Sequence, residues 1–183
     1  MKSNSSDFEV LALEHMDALY RSALRMTGNP ADAEDIVQDV YLRAFRFQRQ
    51  FQPGTNIRAW LFKILRNTYI NRYRRDVRAP SQVGFEDPEF FRSEIEMVNT
   101  SAQTRGPEAE FFNRQTAQDI EKAFAELPEK FQRIVLLSDV EGFSYKEIAD
   151  IEECPLGTVM SRLYRARRML QDLLSKNSDL GGN

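Results

Sequence analysis

Between Thr158 and Arg168 the sequence spaces hydroxyl and guanidinium side chains along one face of a helix. Ser161, Tyr164, Arg165 and Arg168 share one side of a helical projection, flanked by Thr158 and Arg162, while Val159, Leu163, Ala166 and Leu170 form the opposite stripe. Such a face can hydrogen-bond base edges and neutralise phosphates, and a helix that is apolar behind it suits a DNA major groove. The competing reading is the solvated side of an ordinary helical hairpin. The residues just before support the first. Ser144 and Glu147 have the spacing of a capping box, Ile148, Ala149 and Ile151 supply an apolar face, Glu152-Glu153-Cys154 makes a short turn, and Pro155 suits the first position of the second helix. This is a helix-turn-helix.

A second set of residues able to meet nucleic acid lies in Ile57–Arg75. Trp60, Lys63, Asn67, Asn71 and Arg74 fall on one stripe, and Phe62, Arg66, Tyr69 and Tyr73 on another. Rings stack on bases, amides take base edges and cations hold phosphates, which are the needs of a single-stranded DNA surface. For Trp60 and Phe62 taken singly, burial in a core is the competing reading. A third surface is expected on the helix from Pro30 to about Gln48. Val37, Val40, Tyr41 and Ala44 define its buried side, and Asp32, Asp35, Asp39, Leu42, Arg43 and Arg46 point away. A leucine set among acids and arginines has the form of a polar-rimmed protein interface, with a plain solvated face as the alternative.

Other chemistries find little support. The chain has one cysteine, Cys154, and one histidine, His15, so no internal disulfide or cysteine-cluster metal site can form. No nucleophile–base pair, glycine-rich phosphate loop or carboxylate cluster stands out, so neither catalysis nor a cofactor is expected. No apolar run is long enough to span a bilayer, and MKSNSSDFEV lacks a signal-peptide core, so a soluble cytoplasmic protein is expected. The net charge of −3 conceals a segregation. Arg43 to Arg78 carries ten basic residues against Asp76, whereas Ala79 to Arg114 carries seven acids against three arginines. Binding to nucleic acid answers to local potential rather than to the global sum.

The elements that would position these groups are all helical. One helix is expected from Phe8 to Thr27, closed by Gly28, a second from Asn29-Pro30, and a third from Ile57 to about Arg75 capped by Asn56. The stretch from Val77 to Pro107 reads as an acidic linker, with a short helix near Phe90–Val98 and aromatic residues Phe85, Phe90 and Phe91 that suggest it lies against something. Further helices are expected from Glu108 to Leu127 and from Pro128 to Gly142, before the helix-turn-helix, with fraying from Asp179 to Asn183. The fold class is therefore all-α. Two small helical domains, residues 8–76 and 108–178, are joined by a linker at 77–107.

Together these segments resemble the extracytoplasmic-function (ECF) class of bacterial sigma factors, in the sigma-70 family. NPADAEDIVQDVYLRAF is similar to the family's core-polymerase-binding helix, NIRAWLFKILRNTYINRYRR to its helix for melting and reading the minus-ten element, and LPEKFQRIVLLSDVEGFSYKEIADIEECPLGTVMSRLYRARRML to its fourth domain, which reads the minus-thirty-five element. The resemblance implies an alternative sigma factor that binds core RNA polymerase and directs promoter-specific transcription initiation in a stress response, under an anti-sigma factor. It implies that Asp35, Asp39, Leu42, Arg43 and Arg46 dock on polymerase. Trp60, Lys63, Asn67, Asn71, Arg72, Arg74 and Arg75 would meet the minus-ten DNA, with the two asparagines at a flipped base and the three arginines on the backbone. Thr158, Ser161, Arg162, Tyr164, Arg165 and Arg168 would read the minus-thirty-five duplex. Its partners would thus be polymerase, promoter DNA as duplex and melted non-template strand, and an anti-sigma factor, without membrane insertion. LRMTGNPADAED, GTNIRAWLFKIL and GTVMSRL further resemble the subgroup that answers thiol-oxidative stress under a zinc-containing anti-sigma factor. Met160 stands where some members carry an arginine, so base preference does not carry over. The alternative function is a dimeric helix-turn-helix transcriptional regulator acting on duplex DNA.

Overall fold

The computed structural model describes residues 3–78 and 118–180, with side chains placed over 7–73 and 118–175. In chain order the helices are α1 (Ser3–Leu13), α2 (Met16–Thr27), α3 (Pro30–Arg46), α4 (Ile57–Arg78), α5 (118–125), α6 (Glu129–Val135), α7 (Tyr145–Glu152) and α8 (Leu156–Leu180). A short 3₁₀ turn, Gln48–Gln50, follows α3, and α6 runs on into a π-helical turn, Leu136–Val140. No strand occurs among the described residues.

The local punctuation follows residue chemistry. Gly28 closes α2 at φ 66°, and its N–H donates to the Leu24 carbonyl. Asn29 Oδ1 accepts from the N–H groups of Ala31 and Asp32 at 2.9 and 3.2 Å, and Pro30 opens α3. Asn56 Oδ1 accepts from the Ala59 N–H at the start of α4. In the helix-turn-helix the capping box forms in both directions. The Ser144 N–H donates to Glu147 Oε2 at 2.9 Å, and the Glu147 N–H to Ser144 Oγ at 3.3 Å.

Two boundaries differ from expectation. The first helix is not continuous from Phe8 to Thr27 but breaks at Glu14-His15. In an unbroken helix the Ala12 carbonyl would take the Met16 N–H. Here it accepts instead from the His15 N–H at 3.2 Å and from the buried Tyr41 hydroxyl at 2.9 Å. Tyr41 lies 29 residues away, so only tertiary structure reveals this competitor. Pro155 precedes α8 rather than lying within it, and its carbonyl accepts from the N–H groups of Thr158 and Val159. The expected linker beyond Arg78, its helix near Phe90–Val98 and the start of the helix expected at Glu108 fall outside the described residues.

The buried stripes meet in one continuous core. Phe8, Leu19, Ile36, Val40, Leu61, Phe62 and Leu65 fill the space between α1, α2, α3 and α4, and Ile134, Phe143, Ile148, Ile151, Val159, Leu163 and Ala166 fill that around α6, α7 and α8. Each large apolar side chain so removed from water contributes about 1.5–3 kcal/mol. The two halves are not separate beads. Phe62 of α4 and Phe143 of the turn before α7 meet edge to face, ring centroids 5.0 Å apart.

Candidate nucleic-acid interface

Helix α8 presents the face that its sequence periodicity indicates. Val159, Leu163 and Ala166 are buried, while Ser161, Tyr164, Arg165 and Arg168 are exposed, Tyr164 at 67%. Thr158 and Arg162 at its margins are half-buried. Met160 is exposed on the same helix, and an open groove of about 680 Å³ runs past Tyr145, Met160, Tyr164, Arg167 and Arg168. Arg167 donates to both Asp139 carboxylate oxygens, at 2.6 and 3.3 Å, tying α8 to the π-helical turn. The hydrogen bond from Arg167 holds the Asp139 carboxyl below its ordinary pKa. Arg167 is thus a strut beside the exposed face, and Arg165 and Arg168 belong to that face.

Helix α4 is used on several sides. Phe62 is 2% exposed, so its side chain is core and leaves the second aromatic stripe. Trp60 is half-buried in an aromatic trio, with ring centroids 5.9 Å from Phe8 and 5.7 Å from Phe51, so apolar packing holds much of its ring against α1 and the loop before α4. Arg72 donates to Asp32 Oδ1 at 2.6 Å and lies 3.6 Å from Asp35 Oδ2, bracing α4 against α3. Asn71 is exposed, and the side chains of Arg74 and Arg75 lie outside those described.

Lys63 and Asn67 sit together, as their spacing of four requires, and one carboxylate faces them. Glu153 Oε1 is 3.4 Å from Lys63 Nζ, and its Oε2 accepts from Arg66 Nη1 at 3.0 Å. The Asn67 amide lies beside this carboxylate, and its Oδ1 accepts from Arg66 Nη1 at 2.7 Å. Burial works to raise the Glu153 pKa, but Lys63, Arg66 and Asn67 outweigh it and hold it below the ordinary value. Glu153 occupies the turn of the helix-turn-helix at φ 50°, where it is the one non-glycine residue with positive φ among the described residues.

Further contacts join the same two halves. Arg66 Nη2 donates to the Glu152 carbonyl at 3.0 Å, and Asn56 Nδ2 to Glu147 Oε1 at 2.6 Å. Arg58 donates to the Glu141 backbone carbonyl at 2.8 Å and pairs with its carboxylate, and its guanidinium lies 4.5 Å from the Phe143 ring centroid. Burial raises the Glu141 pKa despite Arg58 and Arg25 nearby. Burial likewise pushes Tyr69, near Glu129 and Arg133 of α6, up to about 12. The sequence marks Arg66 only as part of a DNA-facing stripe, and it marks Arg58, Glu141, Glu147 and Glu153 as parts of no interface. Their partners lie more than eighty positions away, and no local pattern marks them.

On α3 the expected outward face is open. Leu42 is 68% exposed, Asp35, Arg43 and Arg46 are exposed, and Asp39 is half-buried. The guanidinium of Arg46 lies 5.5 Å from the Phe47 ring centroid. Among the described residues no helix is long and apolar enough to cross a membrane.

Two family models match this arrangement in order, sigma-70 region 2 over residues 11–79 and sigma-70 region 4 over residues 117–170. The ECF RNA polymerase sigma factor SigE of Mycolicibacterium smegmatis is 35% identical over 93% of the chain, which spans 63% of that relative's length. The ECF RNA polymerase sigma factor EcfG of Rhodopseudomonas palustris is 35% identical over 88% of the chain and 82% of its own length. Among solved structures, the sigma factor RpoE of Bartonella quintana, in complex with the anti-sigma factor NepR, superposes with a TM-score of 0.67 at 30% identity, covering 92% of this chain and 97% of that one. Two sigma-70 regions on one chain displace the reading as a dimeric helix-turn-helix regulator. The chain belongs to the ECF class of the sigma-70 family.

Proposed function

We propose that this protein is an alternative sigma factor that binds core RNA polymerase in the cytoplasm, directs promoter-specific initiation and is restrained by an anti-sigma factor. The observation that carries the DNA-reading role is α8, which holds Ser161, Tyr164, Arg165 and Arg168 in solvent while Val159, Leu163 and Ala166 anchor its other side. On this reading residues 108–178 read the minus-thirty-five duplex through these side chains with Thr158 and Arg162. Residues 8–76 bind polymerase through Asp35, Asp39, Leu42, Arg43 and Arg46. They also take the melted minus-ten strand on Lys63, Asn67 and Asn71, with Trp60, Arg72, Arg74 and Arg75 around them, and residues 77–107 link the two. The polymerase performs the chemistry. The sigma factor's share is positioning and the extrusion of a base, which costs a few kcal/mol of stacking to be returned by the pocket that receives it.

Restraint by an anti-sigma factor is supported by the Bartonella quintana relative, whose structure is a complex with one. The finer assignment to the thiol-oxidative-stress subgroup rests on LRMTGNPADAED, GTNIRAWLFKIL and GTVMSRL. Under it, oxidant chemistry resides in a zinc-containing partner, because Cys154 is the only thiol of this chain. Co-purification with core polymerase followed by promoter-dependent run-off transcription tests the function. Run-off product that requires this chain is expected, and failure to bind polymerase would overturn the reading.

A further inference from the structure

The minus-ten helix and the turn of the helix-turn-helix are fastened to each other through groups that DNA would use. Lys63 and Arg66 converge on the single carboxylate of Glu153, and the Asn67 amide, held by Arg66, lies beside them. An anionic oxygen set before two cations and an amide has the chemistry of a phosphate or a base-edge acceptor on a DNA strand. Glu153 also stands at a backbone position that favours glycine, at φ 50°. A side chain is therefore kept where turn geometry alone prefers none. Around this contact, Asn56–Glu147, Arg58–Glu141 and Phe62–Phe143 complete a continuous seam between the two halves.

We infer that Glu153 is an internal surrogate for the promoter strand, closing the minus-ten surface in the free protein until the C-terminal half swings away. This rests on the sigma-factor reading above and adds a competition within the chain itself. Strand and carboxylate cannot share Lys63 and Arg66, so the closed form binds single-stranded DNA only through the fraction of molecules that open. The C-terminal reading face stays in solvent in the closed form, so duplex binding through α8 is not subject to this competition.

The test uses the full chain with Glu153→Gln, which keeps shape and removes charge, and Glu153→Gly, which suits the positive φ. Asp150→Asn, on an exposed acid of α7, controls for a general gain from lost negative charge. Binding of a fluorescein-labelled random-sequence single-stranded 12-mer is read by anisotropy, and radius of gyration by small-angle scattering. Both Glu153 variants are expected to expand and to bind about ten-fold tighter, as a rise in the open fraction from a tenth towards one would give. Asp150→Asn should match the parent. Equal binding by parent and Glu153 variants, or an equal gain from Asp150→Asn, would overturn the inference. So would tighter binding without expansion. Each chain is also tested for capture of core polymerase. Capture with unchanged DNA binding sinks the surrogate role alone, and absence of capture by the parent sinks the sigma-factor reading and the surrogate with it.

Discussion

Helices α4 and α8 carry the two candidate DNA surfaces, and they solve the same problem differently. In α8 the division is clean, with small and branched apolar residues inside and hydroxyls, a phenol and arginines in water. In α4 there is little division. Leu61, Phe62 and Leu65 are core, Trp60 leans on Phe8 and Phe51, Arg72 braces α3, and Lys63 and Arg66 meet the other half of the molecule. A helix packed along one side can keep a free face, whereas one with neighbours on several sides must share its faces between packing and function. Substitutions in α8 should therefore separate binding from stability, and substitutions in α4 should mix them.

The largest expected contrast is in folding. Phe62→Ala removes a buried ring that also meets Phe143, and should cost about 3–5 kcal/mol in chemical denaturation. Tyr164→Ala should stay within about 0.5 kcal/mol of the parent, because its ring is in solvent. Similar losses for the two would erase the distinction between the helices.

A smaller effect sharpens the binding side. With holoenzyme and a duplex promoter selected from a random pool, Arg165→Ala or Arg168→Ala should cost about 1–3 kcal/mol if the arginine grips a guanine, and should relax preference at one base pair. A residue that holds phosphate would instead weaken all sequences alike and lower the salt slope by about one. The denaturation midpoint should not move in either case. A double variant that binds like the parent would remove these arginines from the reading face.

The smallest effect is the pH dependence of the seam. Glu147 and Glu153 have pKa values below the ordinary 4.5, so their contribution is present above pH 4.5 and is lost as pH falls through the lowered values. Glu141 has the opposite sign. Its value is raised by burial, so its share is full below pH 4.5 and declines as pH rises through the raised value. In thermal unfolding against pH, Glu153→Gln should flatten the acid-side loss, and Glu141→Gln should flatten the decline just above pH 4.5. Identical profiles for the two variants would contradict these assignments.

Much of this was legible from the sequence. Helix α8 could be read because its pattern is set by one buried stripe, and Asn29-Pro30 and Ser144–Glu147 could be read because capping is local. The all-helical class follows from the same long periodic segments. The break at Glu14-His15 could not be read, since it depends on Tyr41 competing for the Ala12 carbonyl. Nor could the fate of Phe62, because a ring on a cation-rich helix looks alike whether it will stack on a base or on Phe143. The convergence on Glu153 was hidden for a related reason. In sequence it is one of two consecutive acids in a short turn, and only the packing of α4 against α7 gives it a role.

Asn56 and Glu147 each act twice. Asn56 caps α4 with Oδ1 and reaches across with Nδ2, while Glu147 closes the capping box with Oε2 and receives Asn56 on Oε1. Parting the halves breaks the bond between them and leaves both helix starts intact. The converse is a freedom for sequence drift. Aspartate at position 56 would still cap α4 but would set a carboxylate against Glu147, and serine would cap without reaching. The firmness of closure can thus be retuned among related chains, one residue at a time, while every helix keeps its ends.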